Sequence, residues 1–168
     1  VEELRKKFQK EIKIFQLDKE SAKNKIGASK IIREFENKSG SILVGTEMAL
    51  IYLKNKIPLS VVASFDSLWS IPSFKMSEKI LQLILTMLSK TSKKLIIQTK
   101  NIDDPLIEAV KSENLLSFVR EELEDRKKLG YPPYVRFIKI TYHGHKEETQ
   151  IAKKTLNEIF KDYSPEIF

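Results

Sequence analysis

Cysteine is absent from this 168-residue sequence. The chain therefore has no disulfide, no thiolate nucleophile and no zinc site built on cysteine. Long apolar runs are also lacking, because Ile80–Leu88 is interrupted by Gln82 and Thr86 and is much shorter than a membrane-spanning helix. The amino terminus is charged and helical in pattern, which does not indicate a secretory signal. We therefore expect a cytoplasmic protein that does not enter a membrane.

The composition is that of a globular protein with a basic surface. Hydrophobic residues make up 41% and charged residues 32%, and the net charge is +7. Lys and Arg outnumber Asp and Glu by 11 to 7 in residues 1–40 and by 6 to 1 in residues 71–100, whereas acidic residues dominate 101–130 by 8 to 5. Such a charge pattern permits contact with nucleic-acid phosphates. The alternative is a lysine-rich surface that only solvates the protein.

Short apolar segments alternate with helical patterns over the first hundred residues. Lys13–Leu17, Ser41–Gly45, Leu59–Phe65 and Leu95–Ile97 are predicted strands, and an apolar stripe from Met76 to Leu88 predicts a helix over residues 76–90. Short strands of this kind are typical of a parallel sheet covered by helices on both faces. The predicted fold class is α/β.

The bounds of further helices are predicted from residues that cap or terminate a helix. Asp18 is predicted to cap a helix that carries Ala28, Ile32 and their neighbours, and Asp103-Asp104 to cap a helix at Pro105. A charged helix is predicted over Leu115–Leu129, ending at Gly130 and Pro132-Pro133. After it, an alternating strand over Val135–Tyr142 and a helix over Glu147–Phe160 form a separate unit.

Several segments, in order along the chain, carry a family resemblance. They are Ile42–Met48 (Ile-Leu-Val-Gly-Thr-Glu-Met), Pro72–Lys75, Ile96–Thr99, Glu121–Leu123 and Gly130–Pro133 (Gly-Tyr-Pro-Pro). They resemble the primosomal protein N′ (PriA) family of replication-restart helicases, in which the first segment usually reads I-L-x-G-T-Q-M. The resemblance covers essentially the whole chain. It implies the C-terminal part of an ATP-dependent 3′–5′ DNA helicase whose other parts use ATP with Mg²⁺ and bind zinc.

The resemblance also implies a domain organisation. Residues 1–100 would form a RecA-like second helicase lobe of the P-loop NTPase type, with a parallel sheet flanked by helices. Residues 101–133 would form a helical connector ending in Tyr-Pro-Pro, and residues 134–168 a partial α+β C-terminal domain. The first helicase lobe would lie outside this chain.

Two motifs of the family are degenerate here. The polar coupling loop that normally follows the I-L-x-G-T-Q-M motif is replaced by Ala49–Ile57, and the final Q-V-A-G-R-A-G-R motif by Thr86–Lys93. Lys90 and Lys93 stand at the two arginine-finger positions. Lysine keeps the charge but lacks the planar fork of arginine, and a finger is worth about 10³–10⁵ in rate. No Walker loop or D-E-x-H box is present either, so we expect no intact catalytic residue, no cofactor, no metal and no ATP hydrolysis by this chain alone.

Candidate binding residues follow from the resemblance and from exposed charge. The nucleotide-binding candidates are Gly45, Thr46, Glu47 and Asp66. Glu47 replaces a glutamine and adds negative charge, and the alternative for Asp66 is that it starts a turn. The DNA-binding candidates are Thr46, Lys54, Lys56, Lys90, Lys93 and Lys94. The segment Tyr131–Tyr134 offers either an aromatic face for bases or a rigid joint that packs its own ring.

Two functions from different classes are compatible with these features. The first is DNA binding at stalled forks, without ATPase activity of its own, by the C-terminal portion of a replication-restart helicase-like protein. Forked or single-stranded DNA would be its ligand, with other primosome or single-strand-binding proteins as partners. The alternative is a degenerate, non-motor scaffold or protein-interaction domain that keeps only the helicase fold. In a third interpretation the domain touches no nucleic acid, and the lysines serve solubility.

Overall fold

The computed structural model describes residues 1–8, 12–22, 24–163 and 165–166. The helices are α1 (Glu2–Phe8), α2 (Lys25–Glu36), α3 (Met48–Tyr52), α4 (Met76–Lys90), α5 (Pro105–Lys111), α6 (Leu115–Lys128) and α7 (Lys146–Ile159). The strands are β1 (Ile14–Leu17), β2 (Ile42–Gly45), β3 (Ile57–Val62) and β4 (Thr91–Ile97), and short 3₁₀ helices lie at Phe65–Ser70 and Lys161–Tyr163. The predicted α/β class is confirmed, as is the alternation of strands and helices from β1 to β4.

The chain divides into two compact units, Val1–Glu124 and Asp125–Phe168, with the division falling inside α6. The first unit holds the strands and α1 to α5, together with most of α6. The second holds the end of α6, the Pro-Pro segment and α7. The domain boundaries drawn at residues 100 and 133 from the resemblance stay a prediction.

The strands pair in parallel, as predicted, but in two separate sheets. β1 pairs with β2, with Leu17 opposite Gly45, and β3 pairs with β4, with Val62 opposite Ile97. The expectation of one parallel sheet covered on both faces is therefore wrong for the described part of the chain. Leu59 and Val61 of β3 are each 52% exposed, so one face of the β3–β4 sheet is open. Continuous apolar sequence shows that a strand is apolar on both sides, but it does not show that both sides are covered.

The first hydrophobic core lies between the β1–β2 sheet and helices α2 and α3. Its buried residues are Leu17, Ala22, Ala28, Ile32, Ala49 and Leu53. The cap of α2 corrects a prediction: the N-cap is Asn24, whose Oδ1 accepts a hydrogen bond from the Gly27 N–H at 2.8 Å. Asp18 instead organises a tight turn directly after β1, because its carboxylate accepts from the backbone N–H groups of Glu20 and Ser21 before any helix has begun.

The second core lies between the β3–β4 sheet, α4 and α5. Its buried residues are Phe65, Met76, Ile80, Ile84, Leu106 and Ile107. The predicted helix over 76–90 is confirmed, although the end of its stripe emerges at Leu88, which is 40% exposed. The predicted cap at Asp104 is also confirmed, since its Oδ1 accepts from the Leu106 N–H at 2.9 Å.

The second unit corrects one further prediction. Its helix α7 agrees with the predicted helix to within one residue at each end, but Val135–Tyr142 is not a strand, and the described residues of this unit contain no strand. A strand needs a partner for its backbone N–H and C=O groups. The described residues of this unit offer no second strand for such pairing, and the Phe137 and Ile138 side chains are exposed at 58% and 82%. None of the described helices is both long enough and apolar enough to cross a membrane.

Candidate functional site

Gly45 lies at the carboxyl end of the first sheet, where the backbone approaches its neighbour closely. A Cβ atom at this position would lie 2.7 Å from the Leu17 carbonyl oxygen and 3.0 Å from the Ala49 Cβ. The Thr46 N–H donates to the same Leu17 oxygen at 3.3 Å. Packing against β1 therefore requires a glycine here, whether or not a ligand binds. Thr46 and Glu47 follow it on the surface.

Asp18 contributes negative charge to the same edge of that sheet. Its Oδ2 accepts from Gln16 Nε2 at 2.6 Å and its Oδ1 from the Ser21 N–H at 2.8 Å. These hydrogen bonds, the one from Gln16 first, lower the pKa of Asp18 to about 2. With Glu47 on the segment after β2, this edge carries two acidic side chains, which is unfavourable for a bound phosphate.

Asp66 lies at the carboxyl end of the second sheet, in the 3₁₀ helix after β3. Its Oδ1 accepts from the Thr99 hydroxyl at 2.6 Å, and its Oδ2 accepts from the Lys100 N–H at 3.0 Å. The bond from Thr99, followed by that from Lys100, holds the pKa of this carboxyl below its ordinary value. Both oxygens thus join the loops that follow β3 and β4. A role for Asp66 in nucleotide binding stays a prediction.

The lysine candidates lie in and before the amino-terminal half of the second sheet. Lys54 and Lys56 precede β3, and Lys90 ends α4. Because Ile57 pairs with Thr91, these three positions lie at the amino end of the sheet, where the Ser92 hydroxyl donates to the Ile57 carbonyl at 3.3 Å. Lys93 and Lys94 lie further along β4, with Lys94 opposite Leu59. All five except Lys90 are exposed, and all five lie in the half of the sheet away from Asp66. Thr46 lies at the end of the other sheet.

Lys90 has a hydrogen-bond partner within the first unit. Helix α4 passes into β4 without a loop, since Lys90 is the last residue of the helix and Thr91 the first of the strand. The Lys90 ammonium donates to the Leu53 carbonyl oxygen at 2.7 Å. Sequence reasoning missed Glu36, whose Oε1 accepts from the backbone N–H groups of Lys54 and Asn55 at 3.0 and 2.8 Å. No local pattern marks Glu36, because its partners are 18 and 19 residues away.

Within the second unit, the Tyr-Pro-Pro segment packs on itself. The Tyr131 ring meets the Phe137 ring edge to face, with 5.8 Å between centroids, and the Tyr131 N–H donates to the Arg126 carbonyl at 2.7 Å. This favours the joint over the base-stacking alternative at Tyr131. His145 begins α7, and its N–H donates to the Glu148 carboxylate at 3.0 Å. Among the described residues, no three His, Asp or Glu side chains are grouped to hold a metal ion.

Comparison with known proteins gives a consistent set of relatives. Replication restart protein PriA of Thermotoga maritima is 32% identical over 152 residues, which are 88% of this chain and 20% of that protein. The PriA of Borreliella burgdorferi is 31% identical over 167 residues (96% and 25%), and that of Chlamydia pneumoniae 25% over 150 residues (86% and 20%). The chain thus spans about a fifth to a quarter of the length of these relatives. No protein-family model matches it.

Proposed function

We propose that this chain, which belongs to the PriA family of replication restart proteins, binds DNA at stalled forks as the C-terminal portion of such a protein and does not hydrolyse ATP by itself. Residues 1–100 would form its RecA-like lobe, and the order of strands and helices from β1 to β4 supports this. The ligand would be forked or single-stranded DNA. Other primosome or single-strand-binding proteins would be its partners in the cytoplasm.

The observation that carries this proposal is the lysine edge, which we define as Lys54, Lys56, Lys90, Lys93 and Lys94 in and before the amino-terminal half of the β3–β4 sheet. Residues 48–65 and 79–102, which supply this edge, contain no Asp or Glu. The Glu36 carboxylate, which accepts from the Lys54 and Asn55 N–H groups, offsets one of these five charges and leaves an excess of positive charge. Binding to phosphates releases condensed counterions and is driven by such clusters irrespective of base sequence. This edge supports contact with the DNA backbone.

Three features support the absence of ATPase activity. The chain contains no Walker loop. The carboxyl edge of the first sheet presents Asp18 and Glu47 to any phosphate. The Lys90 ammonium, at the position of an arginine finger, is bonded to the Leu53 carbonyl. Catalysis of phosphoryl transfer needs positive charge directed at the transferring group, and none of these features supplies it. We accordingly propose no cofactor and no metal for this chain.

A protein-interaction scaffold is the second candidate, and the open face of the β3–β4 sheet favours it. Leu59 and Val61 are each 52% exposed and Ile96 is 39% exposed on that face. A contiguous apolar surface of this kind is common at protein–protein contacts. This candidate predicts binding to a protein partner with no measurable affinity for DNA.

The test is fluorescence anisotropy with labelled forked, single-stranded and duplex DNA between about 50 and 200 mM salt. We expect binding that weakens steeply with salt, and much weaker binding when Lys54, Lys56, Lys93 and Lys94 are all changed to Gln. The matched control changes Lys25, Lys30, Lys111 and Lys128 to Gln, which removes the same charge elsewhere and should change affinity little. Absence of binding at low salt, or equal losses in both variants, would overturn the proposal. ATP binding tighter than about 1 mM would count against the proposed absence of ATPase activity.

A further inference from the structure

Two charged side chains form hydrogen bonds to the same peptide group between α3 and β3. The Leu53 C=O and the Lys54 N–H belong to the same peptide unit. The carbonyl accepts from Lys90 Nζ at 2.7 Å, and the N–H donates to Glu36 Oε1 at 3.0 Å. We propose that Lys90 and Glu36 are positioning residues that fix this loop so that Lys54 and Lys56 are held ready for phosphates. This inference rests on the proposed DNA binding.

On the carbonyl side, Lys90 satisfies a group that the helix leaves without a partner. Leu53 is the C-cap of α3, and its side chain is only 3% exposed. Carbonyl groups at a helix C-terminus lack intrahelical partners, and a cation there is favourable for both hydrogen bonding and the helix dipole. Lys90 is itself half-buried. One N–H of its ammonium is therefore used on the loop, whereas the other four lysines are exposed and none has a hydrogen bond of this kind to a described residue.

On the amide side, Glu36 also accepts a hydrogen bond from the next residue. The same Oε1 that accepts from Lys54 also accepts from the Asn55 N–H at 2.8 Å. Hydrogen bonds from backbone N–H groups to a carboxylate are charge-assisted and stronger than neutral ones. Glu36 is the last residue of α2, so the loop is tied to a helix of the first core. The peptide is thereby oriented from both ends by groups on separate helices.

A fixed loop lowers the cost of binding. Lys54 and Lys56 are exposed on either side of Asn55, just before the point where Ile57 of β3 pairs with Thr91 of β4. A mobile loop would have to become ordered when the lysines meet phosphates, and that ordering opposes binding. Lys90 thus serves DNA binding through its neighbours and does not contact a phosphate itself. The salt dependence of binding distinguishes a lysine that contacts a phosphate from one that only positions the loop. Only the former contributes to the slope of log affinity against log salt concentration.

The experiment combines amide hydrogen exchange with DNA binding for Lys90→Met, Glu36→Ala and Lys93→Met in the full chain. We expect Lys90→Met and Glu36→Ala to raise exchange at Lys54 and Asn55 by about tenfold or more, because the loop opens locally. Both should weaken DNA binding by about three- to tenfold with an unchanged salt slope. Lys93→Met should leave exchange unchanged and reduce the slope by about 0.7–0.9, the share of one phosphate contact. Lys90→Arg keeps a donor and should retain the native exchange.

Two results would overturn the proposal that Lys90 and Glu36 fix the loop. One is native exchange at Lys54 and Asn55 in both Lys90→Met and Glu36→Ala. The other is a loss of slope in Lys90→Met equal to that in Lys93→Met, which would make Lys90 a phosphate contact. If Lys90→Met does not fold, Glu36→Ala still tests the proposal, because Glu36 bonds the N–H of the same peptide group. If the native chain binds no DNA, the proposed function is wrong. The exchange data would still show whether Lys90 and Glu36 fix the loop.

Discussion

The Thr99 hydroxyl donates a 2.6 Å hydrogen bond to the Asp66 carboxylate and thereby joins the loop after β3 to the loop after β4. Asp66 is also the residue that the family resemblance marks as a nucleotide contact. Both of its oxygens accept hydrogen bonds from the protein, the second from the Lys100 N–H. The structure therefore gives Asp66 a stabilising role that can be measured without any ligand.

We expect Asp66→Ala to lower the midpoint of urea unfolding, because it removes the acceptor of the Lys100 N–H and of the 2.6 Å bond from Thr99. The Thr99 hydroxyl then keeps the longer bond to the Asn101 carbonyl at 3.2 Å. Asp103→Ala is the matched control, since Asp103 is an exposed aspartate three residues after Lys100. Unfolding followed by circular dichroism measures both. Equal midpoints in the two variants would show that the Asp66 bonds do not stabilise the fold.

Asp18 predicts a pH dependence of stability. Its pKa is about 2 in the folded chain, lowered mainly by the hydrogen bonds from Gln16 and Ser21, against about 3.9 when unfolded. A lowered pKa means that the stabilisation is fully present above the unfolded value and is lost as pH falls from about 4 towards about 2. In Asp18→Asn, the free energy of unfolding should therefore differ less between pH 5 and pH 2 than it does in the native chain. Urea midpoints across that range test this, and identical pH profiles would contradict it.

Gly45 predicts a packing effect that is independent of ligands. Gly45→Ala should destabilise the fold by about 1–3 kcal/mol, because its Cβ would lie 2.7 Å from the Leu17 carbonyl oxygen. Gly27→Ala is the control: in α2 the nearest atom to an added Cβ is Asn24 Oδ1 at 3.4 Å, so we expect a gain of about 0.5–1 kcal/mol. If both variants unfold like the native chain, close packing is not the reason for glycine at position 45.

The core of the second sheet predicts a sharp contrast between neighbours on α4. Ile84 is fully buried, and Ile84→Ala should cost about 2–5 kcal/mol through lost burial and a residual cavity. Leu85, the next residue, is 39% exposed, and Leu85→Ala should cost less than about 1.5 kcal/mol. Chemical denaturation of both variants compares them directly. Similar losses at the two positions would mean that α4 packs with a different face.

Much of the secondary structure was predictable because its determinants are local. The stripe on α4 and the cap at Asp104 each depend on residues within a few positions along the chain. The error at Asp18 was also local, since an aspartate can organise a turn as readily as it can cap a helix. The predicted alternation includes a helix between β2 and β3, but the sequence does not give the bounds of α3, because a helix of five residues is too short to show a period.

The sequence by itself determined the α/β class, the positions of the longer helices and the relationship to PriA, since periodicity, capping and collinear motifs are all carried by neighbouring residues. Only the tertiary structure decided that the strands form two sheets and that the lysines lie in one half of the second sheet. It alone also brought Lys90 to Leu53, 37 residues away, and Glu36 to Lys54, 18 residues away. The physical reason is that such contacts depend on how separate helices pack. A side chain's chemical type, which the sequence does show, does not select its partner among distant backbone groups.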